Sequence, residues 1–300
     1  MVIGSSGFVG EATVAALAGH GHEVVRVRAP RLPPLDAKDV AANRHKLDVH
    51  RLVGEFVGVD AVINAAGVPN ASGSREGALN AANAAMPLLC LAAVEEAGVA
   101  RFIQVSSAAV QGDRAVLDES PETHPFSAYS RSKALGERVL LALDSPTLTI
   151  YRPPGVHASG RRVTEKAAAL ARSPLASVAG KRDRPTPQAL LGNVADALSF
   201  LATTGLQPPS IVIHPWEGLT TAQLLTCLGG RPPLHVPEWL ARKVLALARL
   251  LSGGSSAVAA NTRRVELMWL GQGQAESWLT QVGWQPPEPL SAWRELARRP

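Results

Sequence analysis

Two side chains capable of acid–base chemistry stand four residues apart in Tyr129-Ser-Arg-Ser-Lys133, within a segment of helical period that opens after Pro125. In a helix this spacing places phenol and ammonium one turn apart on the same face. A nearby Lys⁺ stabilises phenolate, lowering a tyrosine pKa from about 10 toward the range of a working general acid/base. Taken alone, the spacing also fits an amphipathic helix with a surface lysine. Upstream, Val105-Ser106-Ser107 closes an apolar run that reads as a strand. Ligands bind at the carboxyl ends of strands in an open α/β sheet, and the hydroxyl of Ser107 can there hold a substrate carbonyl oxygen. Asn64-Ala65-Ala66-Gly67 closes another strand with small residues that leave room for a cofactor over the sheet edge.

A second kind of chemistry is carried by backbone. Gly4-Ser-Ser-Gly7-Phe-Val-Gly10 follows the first strand and opens the first helix, where N–H groups and the helix dipole can hold a pyrophosphate. Gly4 permits the tight turn, Gly7 lets phosphates approach the chain, and Gly10 lets the helix pack closely on the strand. Contacts to a dinucleotide are expected from Gly4, Ser6, Gly7, Phe8, Val9 and Gly10, and from Ala65, Ala66 and Gly67. The end of the second strand normally carries an acid that selects the ribose 2′-hydroxyl of NAD. Here no acid occurs between Glu23 and Asp36, and Arg28 occupies its place, with Arg26 and Arg31 near it. A guanidinium at that point favours the 2′-phosphate, so NADP(H) is expected over NAD(H).

The elements that must position these groups alternate as in a parallel sheet flanked by helices. Strands are predicted over 1–3, 23–28, 61–64, 101–105 and 148–151, with helices over 11–19, 37–57, 79–97 and 127–143. The fold class is α/β, a Rossmann-like doubly wound parallel sheet with a smaller C-terminal substrate-binding lobe. The first strand is short, so the true start of the sheet is left upstream or incomplete. Residues 1–155 are read as the NAD(P)-binding domain and 156–300 mainly as the lobe, with about 190–215, a helix and a late strand, packing back on the first domain.

The order and spacing of these motifs resemble the extended short-chain dehydrogenase/reductase family, which includes nucleotide-sugar epimerases, dehydratases and reductases. The resemblance continues through Asn83, Gly98-Val-Ala-Arg-Phe102, Tyr151-Arg-Pro-Pro154 and Asn193-Val-Ala-Asp196. It implies Ser107 as the catalytic serine, Tyr129 as the acid/base, Lys133 as the residue that tunes Tyr129 and holds the nicotinamide ribose, and Asn83 as part of a proton relay. It also implies a cofactor contact at Pro153. The chain departs from the family at Val110-Gln111-Gly112 and Val156-His157-Ala158, and Ala29-Pro-Arg-Leu-Pro-Pro34 replaces a clear third strand. The implied activity is NADP-dependent reduction of a carbonyl, or oxidation of an alcohol, on a nucleotide-sugar-like small molecule. A sugar epimerase or dehydratase, and a non-catalytic NADP-sensing regulator, are the alternatives.

Composition bounds the rest. Of 300 residues 46% are hydrophobic, enough for a large core, so a disordered chain is excluded. Cys90 and Cys227 lie far apart in apolar helical contexts and read as buried thiols; no metal site is expected. The net charge of +5 is scattered arginine rather than a basic run, against a nucleic-acid partner. No stretch reads as a membrane span, the longest candidate being around 244–251, and no signal peptide is read, so a cytoplasmic location is expected. A homodimer is a family-level expectation. His157 is offered as a substrate ligand or a mere polar neighbour, Arg263 and Arg264 as a diphosphate site or a solvated helix face, and Trp269, Trp278, Trp284 and Trp293 as lobe core.

Overall fold

The computed structural model describes residues 1–42, 49–68, 76–181, 183–251 and 256–296. Its centre is a sheet of six parallel strands, β1 (Val2–Ile3), β2 (Arg26–Val27), β3 (Ala61–Asn64), β4 (Arg101–Val105), β5 (Leu148–Arg152) and β6 (Ile211–Ile213). In space they run β6-β5-β4-β3-β1-β2. The chain leaves β1 toward β2 on one side and returns to β3 on the other, so β1 and β3 flank the switch point where such sheets bind ligands.

The expected strands and flanking helices are present, with informative differences in extent. The second strand shrinks from 23–28 to two residues because its partner β1 pairs only Val2 with Arg26 and Ile3 with Val27, and Pro30, Pro33 and Pro34 remove the donors that a further strand beyond it would need. That leaves β2 as the sheet edge. The helix predicted over 37–57 consists of Ala37–Ala42 and His50–Phe56, the interval 43–48 lying outside the described residues. The helix predicted over 79–97 begins at Glu76 and contains a π-helical turn, Ala81–Ala85. This helix, and not 244–251, is the long apolar one: Glu76–Ala97 has the length and composition to cross a membrane, yet 78% of its most apolar window is buried inside the fold.

Both faces of the sheet are covered, as all-parallel strands require. On one side Phe56, Met86, Leu89, Leu91 and Leu140 pack on Val62, Phe102 and Ile150. On the other, Val14 and Leu17 of helix Phe8–Gly19 and Leu198 and Leu201 of helix Leu191–Thr203 pack on Val2, Ile63 and Ile103, joined by Leu279 and Trp284. Trp284 thus belongs to the sheet core, whereas Trp293 is buried in a separate cluster with Leu190, Leu224 and Leu228. Three small parallel pairs, 116–117 with 273–274, 155–157 with 188–190 and 177–179 with 234–236, tie the C-terminal region to the loops above the sheet. Cys90 is fully buried, but Cys227 is only half-buried, in helix Thr221–Gly229.

Candidate active site

The glycine turn is built as its spacing requires. Gly4 has φ +76°, and a Cβ there would lie 2.7 Å from the Ala66 nitrogen, so only glycine lets the turn sit against the end of β3. A Cβ at Gly10 would lie 2.2 Å from the Gly4 carbonyl oxygen, which is the close helix–strand packing expected of that position. The helical hydrogen-bond ladder begins with Glu11 N–H donating to Gly7 O (2.8 Å). The amides of Phe8, Val9 and Gly10 precede it and form the first turn of a twelve-residue helix, the end that favours anions. Gly4 N–H donates to Val27 O (3.2 Å), so Arg28, next in the chain, stands at the mouth of this turn. Arg28 is exposed and has no ion pair among the described residues. A cradle shut to any Cβ, beside an anion-favouring helix end, fits a dinucleotide.

Opposite the turn, β4 and helix Ala128–Leu141 bring the catalytic candidates together. Strand alternation turns Ser106 inward, where its hydroxyl donates to Glu137 (2.5 Å), and leaves Ser107 facing the cleft as the cap of a short helical turn, accepting from Ala109 N–H (3.2 Å). The helix starts cleanly because Ser127 and Ser130 form a capping box. One turn in, Tyr129 is half-buried. Burial raises its pKa, while the Ser107 side chain and the charge of Arg161 pull it back down. Lys133 is buried, and its Nζ donates to Val105 O (3.0 Å). Burial lowers its pKa to about 8, with Glu137 opposing. The charge of Arg161 thus also acts on the phenol, a contribution that the YxxxK spacing did not suggest.

Asn83 lies in the π-helical turn and stitches two walls. Its Oδ1 accepts from Val68 N–H (3.0 Å), and its Nδ2 donates to Val68 O (3.3 Å) and Ser132 Oγ (2.9 Å). A Cβ on Gly67 would fall 2.8 Å from Asn83 Oδ1 and 3.1 Å from Lys133 Nζ, so these three residues converge at the end of β3. Ala65 N–H donates to Ile3 O and Ala66 N–H to Asn64 Oδ1, which holds the small-residue segment against the turn. Pro153 is buried, and its carbonyl accepts from Ala108 N–H (2.9 Å), bracing the Ser107 loop.

Other candidates fall elsewhere. His157 is buried with both ring nitrogens engaged, 3.2 Å from Thr164 Oγ1 and 2.9 Å from Gln188 Oε1, and it packs on Trp293. Arg263 donates to the carbonyls of Gly112 and Arg114 and pairs with Glu266, so it is a structural brace; Arg264 donates to Asn261. No cluster of three or more metal-ligating side chains occurs among the described residues.

Three residues escaped the sequence reading. Arg161, at the start of helix Arg162–Arg172, stacks on the Phe8 ring, 3.8 Å to its centroid. Nothing in its local sequence signals that contact, which crosses the cleft. Glu137 and Arg152 form a buried ion pair beneath Lys133. Their signal was available, since Tyr129, Lys133 and Glu137 follow one helix face at four-residue steps.

Comparison with known proteins agrees with this geometry. A family model described as the NAD dependent epimerase/dehydratase family matches residues 1–187. The 2-alkyl-3-oxoalkanoate reductase of Stenotrophomonas maltophilia (strain K279a) is 29% identical over 220 residues, 69% of this chain and 66% of that protein, just under two thirds of the relative's length. The fold resembles that of dTDP-4-dehydrorhamnose reductase from Bacillus anthracis str. Ames in complex with NADP (TM-score 0.64, 15% identity, 99% and 96% of the two chains). It resembles equally UDP-glucuronic acid 4-epimerase from Bacillus cereus in complex with NAD (TM-score 0.63, 16% identity, 99% and 93%), so the fold alone does not choose the cofactor. With the family model covering well over half of its length, the chain belongs to the NAD-dependent epimerase/dehydratase family, enzymes of the extended short-chain dehydrogenase/reductase type.

Proposed function

We propose that the protein is an NADPH-dependent ketone reductase. The observation that carries this reading is the convergence of Ser107, Tyr129 and Lys133 on the cleft beside the glycine turn, with the phenol's pKa raised by burial. A raised pKa keeps the phenol protonated at neutral pH, the state needed to give a proton to a reduced carbonyl. The Stenotrophomonas relative, a 2-alkyl-3-oxoalkanoate reductase, points in the same direction. Arg28 at the mouth of the turn supports NADPH, and a cytoplasmic enzyme exchanging this cofactor is in keeping with it.

When bound, NADPH supplies the hydride. Ser107 and Tyr129 hydroxyls donate to the carbonyl oxygen, polarising it and fixing which face of the carbonyl is presented. Tyr129 then gives its proton to that oxygen as negative charge develops. Lys133 uses one of its three donors on Val105 O, and the other two are available to the nicotinamide ribose and to support of the Tyr129 phenolate. Asn83 positions the Val68 backbone and helix Ala128–Leu141 relative to each other.

Purified protein mixed with NADPH and either a 3-oxo acid or a nucleotide-linked keto sugar tests the reading. Stoichiometric loss of absorbance at the nicotinamide wavelength supports a reductase. Turnover of a nucleotide sugar without net cofactor change would instead establish an epimerase. In Tyr129→Phe, kcat should fall by about 10²–10⁴-fold, since only the acidic hydroxyl is lost.

A further inference from the structure

Arg161 is a cation with a place but, among the described residues, no anionic partner. Its guanidinium is held over Phe8 at 3.8 Å, and its Nη1 is buried without a hydrogen bond among the described residues. It forms no ion pair with any described residue, although its charge is felt by Tyr129. A buried guanidinium donor left unmade is costly, and a stacked fork is pre-organised for bidentate capture of an oxyanion. The backbone holds it firmly: Arg161 follows Gly160, at φ +72°, and Glu165 N–H donates to Arg161 O at 2.9 Å.

Two oxyanions could reach it, a phosphate of the cofactor or an acid on the substrate. The cofactor's charges have other recipients, the helix end at Gly7 to Gly10 for the pyrophosphate and Arg28 for a 2′-phosphate. Arg161 follows the strand Gly155–His157 and lies near enough to Tyr129, at which the carbonyl must sit, for its charge to act on the phenol. We infer that Arg161 is a substrate-recognition residue that binds a carboxylate placed close to the reacting carbonyl, which makes the substrate an oxo acid. This assignment rests on the reductase reading above. It adds what that reading lacks, a reason for one ketone to be preferred over another: a neutral ester or simple ketone would leave the buried Nη1 unpaired.

The test uses the full chain, its Arg161→Met and Arg161→Lys variants, and a stable matched pair of probes, 3-hydroxyoctanoate and its methyl ester. Three quantities are measured: affinity for NADPH by fluorescence titration, affinity of the NADP-loaded protein for each probe by calorimetry, and NADP-dependent oxidation of each. Wild type should bind and oxidise the acid in preference to the ester. Arg161→Met should lose about ten- to a hundred-fold in affinity and kcat/KM for the acid, with the ester and NADPH unchanged. Arg161→Lys, which keeps the charge but not the fork, should recover part of the loss. A loss of NADPH affinity of the same size would assign the arginine to the cofactor and overturn the proposal. Equal effects on acid and ester, or no preference in wild type, would overturn it too. If the acid is bound through Arg161 but not oxidised, the carboxylate site stands and the ketone-reductase reading falls.

Discussion

Glu137 and Arg152 form an ion pair removed from solvent, with Arg152 Nη2 2.6 Å from Glu137 Oε2 and Nε 3.1 Å from Oε1. Glu137 also accepts from Ser106, and Arg152 Nη1 donates to the carbonyls of Asp118 and Ser120. One carboxylate thus fixes the helix that carries Tyr129 and Lys133 to the strand end that carries Ser107. Glu137→Gln keeps the shape but strands the guanidinium. Removing one partner of such a pair should cost about 3–5 kcal/mol of stability, read as a lower denaturation midpoint in urea at unchanged slope. A variant within 1 kcal/mol of wild type, on the order of a surface substitution, would mean that the pair contributes little.

Lys133 gives a pH dependence whose sign follows from its environment. Its pKa is lowered by burial from the ordinary lysine value of 10.5 to about 8. If the ammonium is the working form, kcat should decline as pH rises through about 8. Stability should do the opposite. The unfolded chain holds this proton to higher pH than the folded one, so the penalty of the buried charge is fully present below about 8 and is relieved as pH rises toward 10.5. Rate and unfolding measured over the same pH range should therefore diverge. In Glu137→Gln, which removes the charge opposing the burial effect, the kinetic limb should move to lower pH.

The sheet and the glycine turn were legible because their signals are local: apolar runs ending in small or hydroxyl residues, and glycines at fixed offsets. Ser107 is preferred to Ser106 through the family resemblance, and the fold turns Ser106 onto Glu137 while Ser107 caps the next helical turn. The tuning of Tyr129 was legible only in part. Spacing puts Lys133 one turn away, but only the folded chain shows one of its donors on Val105 O and the charge of Arg161, thirty-two residues downstream, acting on the phenol. The three small parallel pairs were equally hidden, because strands of two or three residues carry no period. His157 stood in sequence between substrate ligand and polar neighbour, and the buried contacts that make it a brace come from Thr164 and Gln188, which lie in other elements.

The glycine turn offers a graded test of close packing. In Gly10→Ala the new Cβ would lie 2.2 Å from a backbone oxygen that cannot swing away. The turn must open, at a cost of about 1–3 kcal/mol or more, and NADPH affinity should drop with it. Gly19→Ala serves as the control, since nothing lies within 4 Å of its Cβ position near the exposed end of the same helix. It should leave cofactor binding unchanged and leave stability equal or slightly raised, alanine being the better helix former. Thermal melts with and without NADPH separate the two effects, and equal behaviour of the two variants would contradict the close approach.

Cofactor choice should turn on Arg28. The acid-free interval from Val24 to Leu35 places this guanidinium at the position that selects between a ribose hydroxyl and a 2′-phosphate. The fold puts it just past β2, whose last carbonyl, Val27 O, accepts from Gly4 N–H. Because β2 is the sheet edge, Arg28 is exposed and no described carboxylate neutralises it. Arg28→Asp removes one charge-assisted contact to the phosphate, about 1.5–3 kcal/mol, or roughly ten- to a hundred-fold in NADPH affinity, and the new carboxylate adds repulsion. NADH carries no 2′-phosphate, so its affinity should hold, and a hydrogen bond from the ribose hydroxyls to the new carboxylate should raise it. Titrating both cofactors against wild type and variant by fluorescence decides the matter: the preference should invert, and an unchanged ratio would place Arg28 outside the adenosine site.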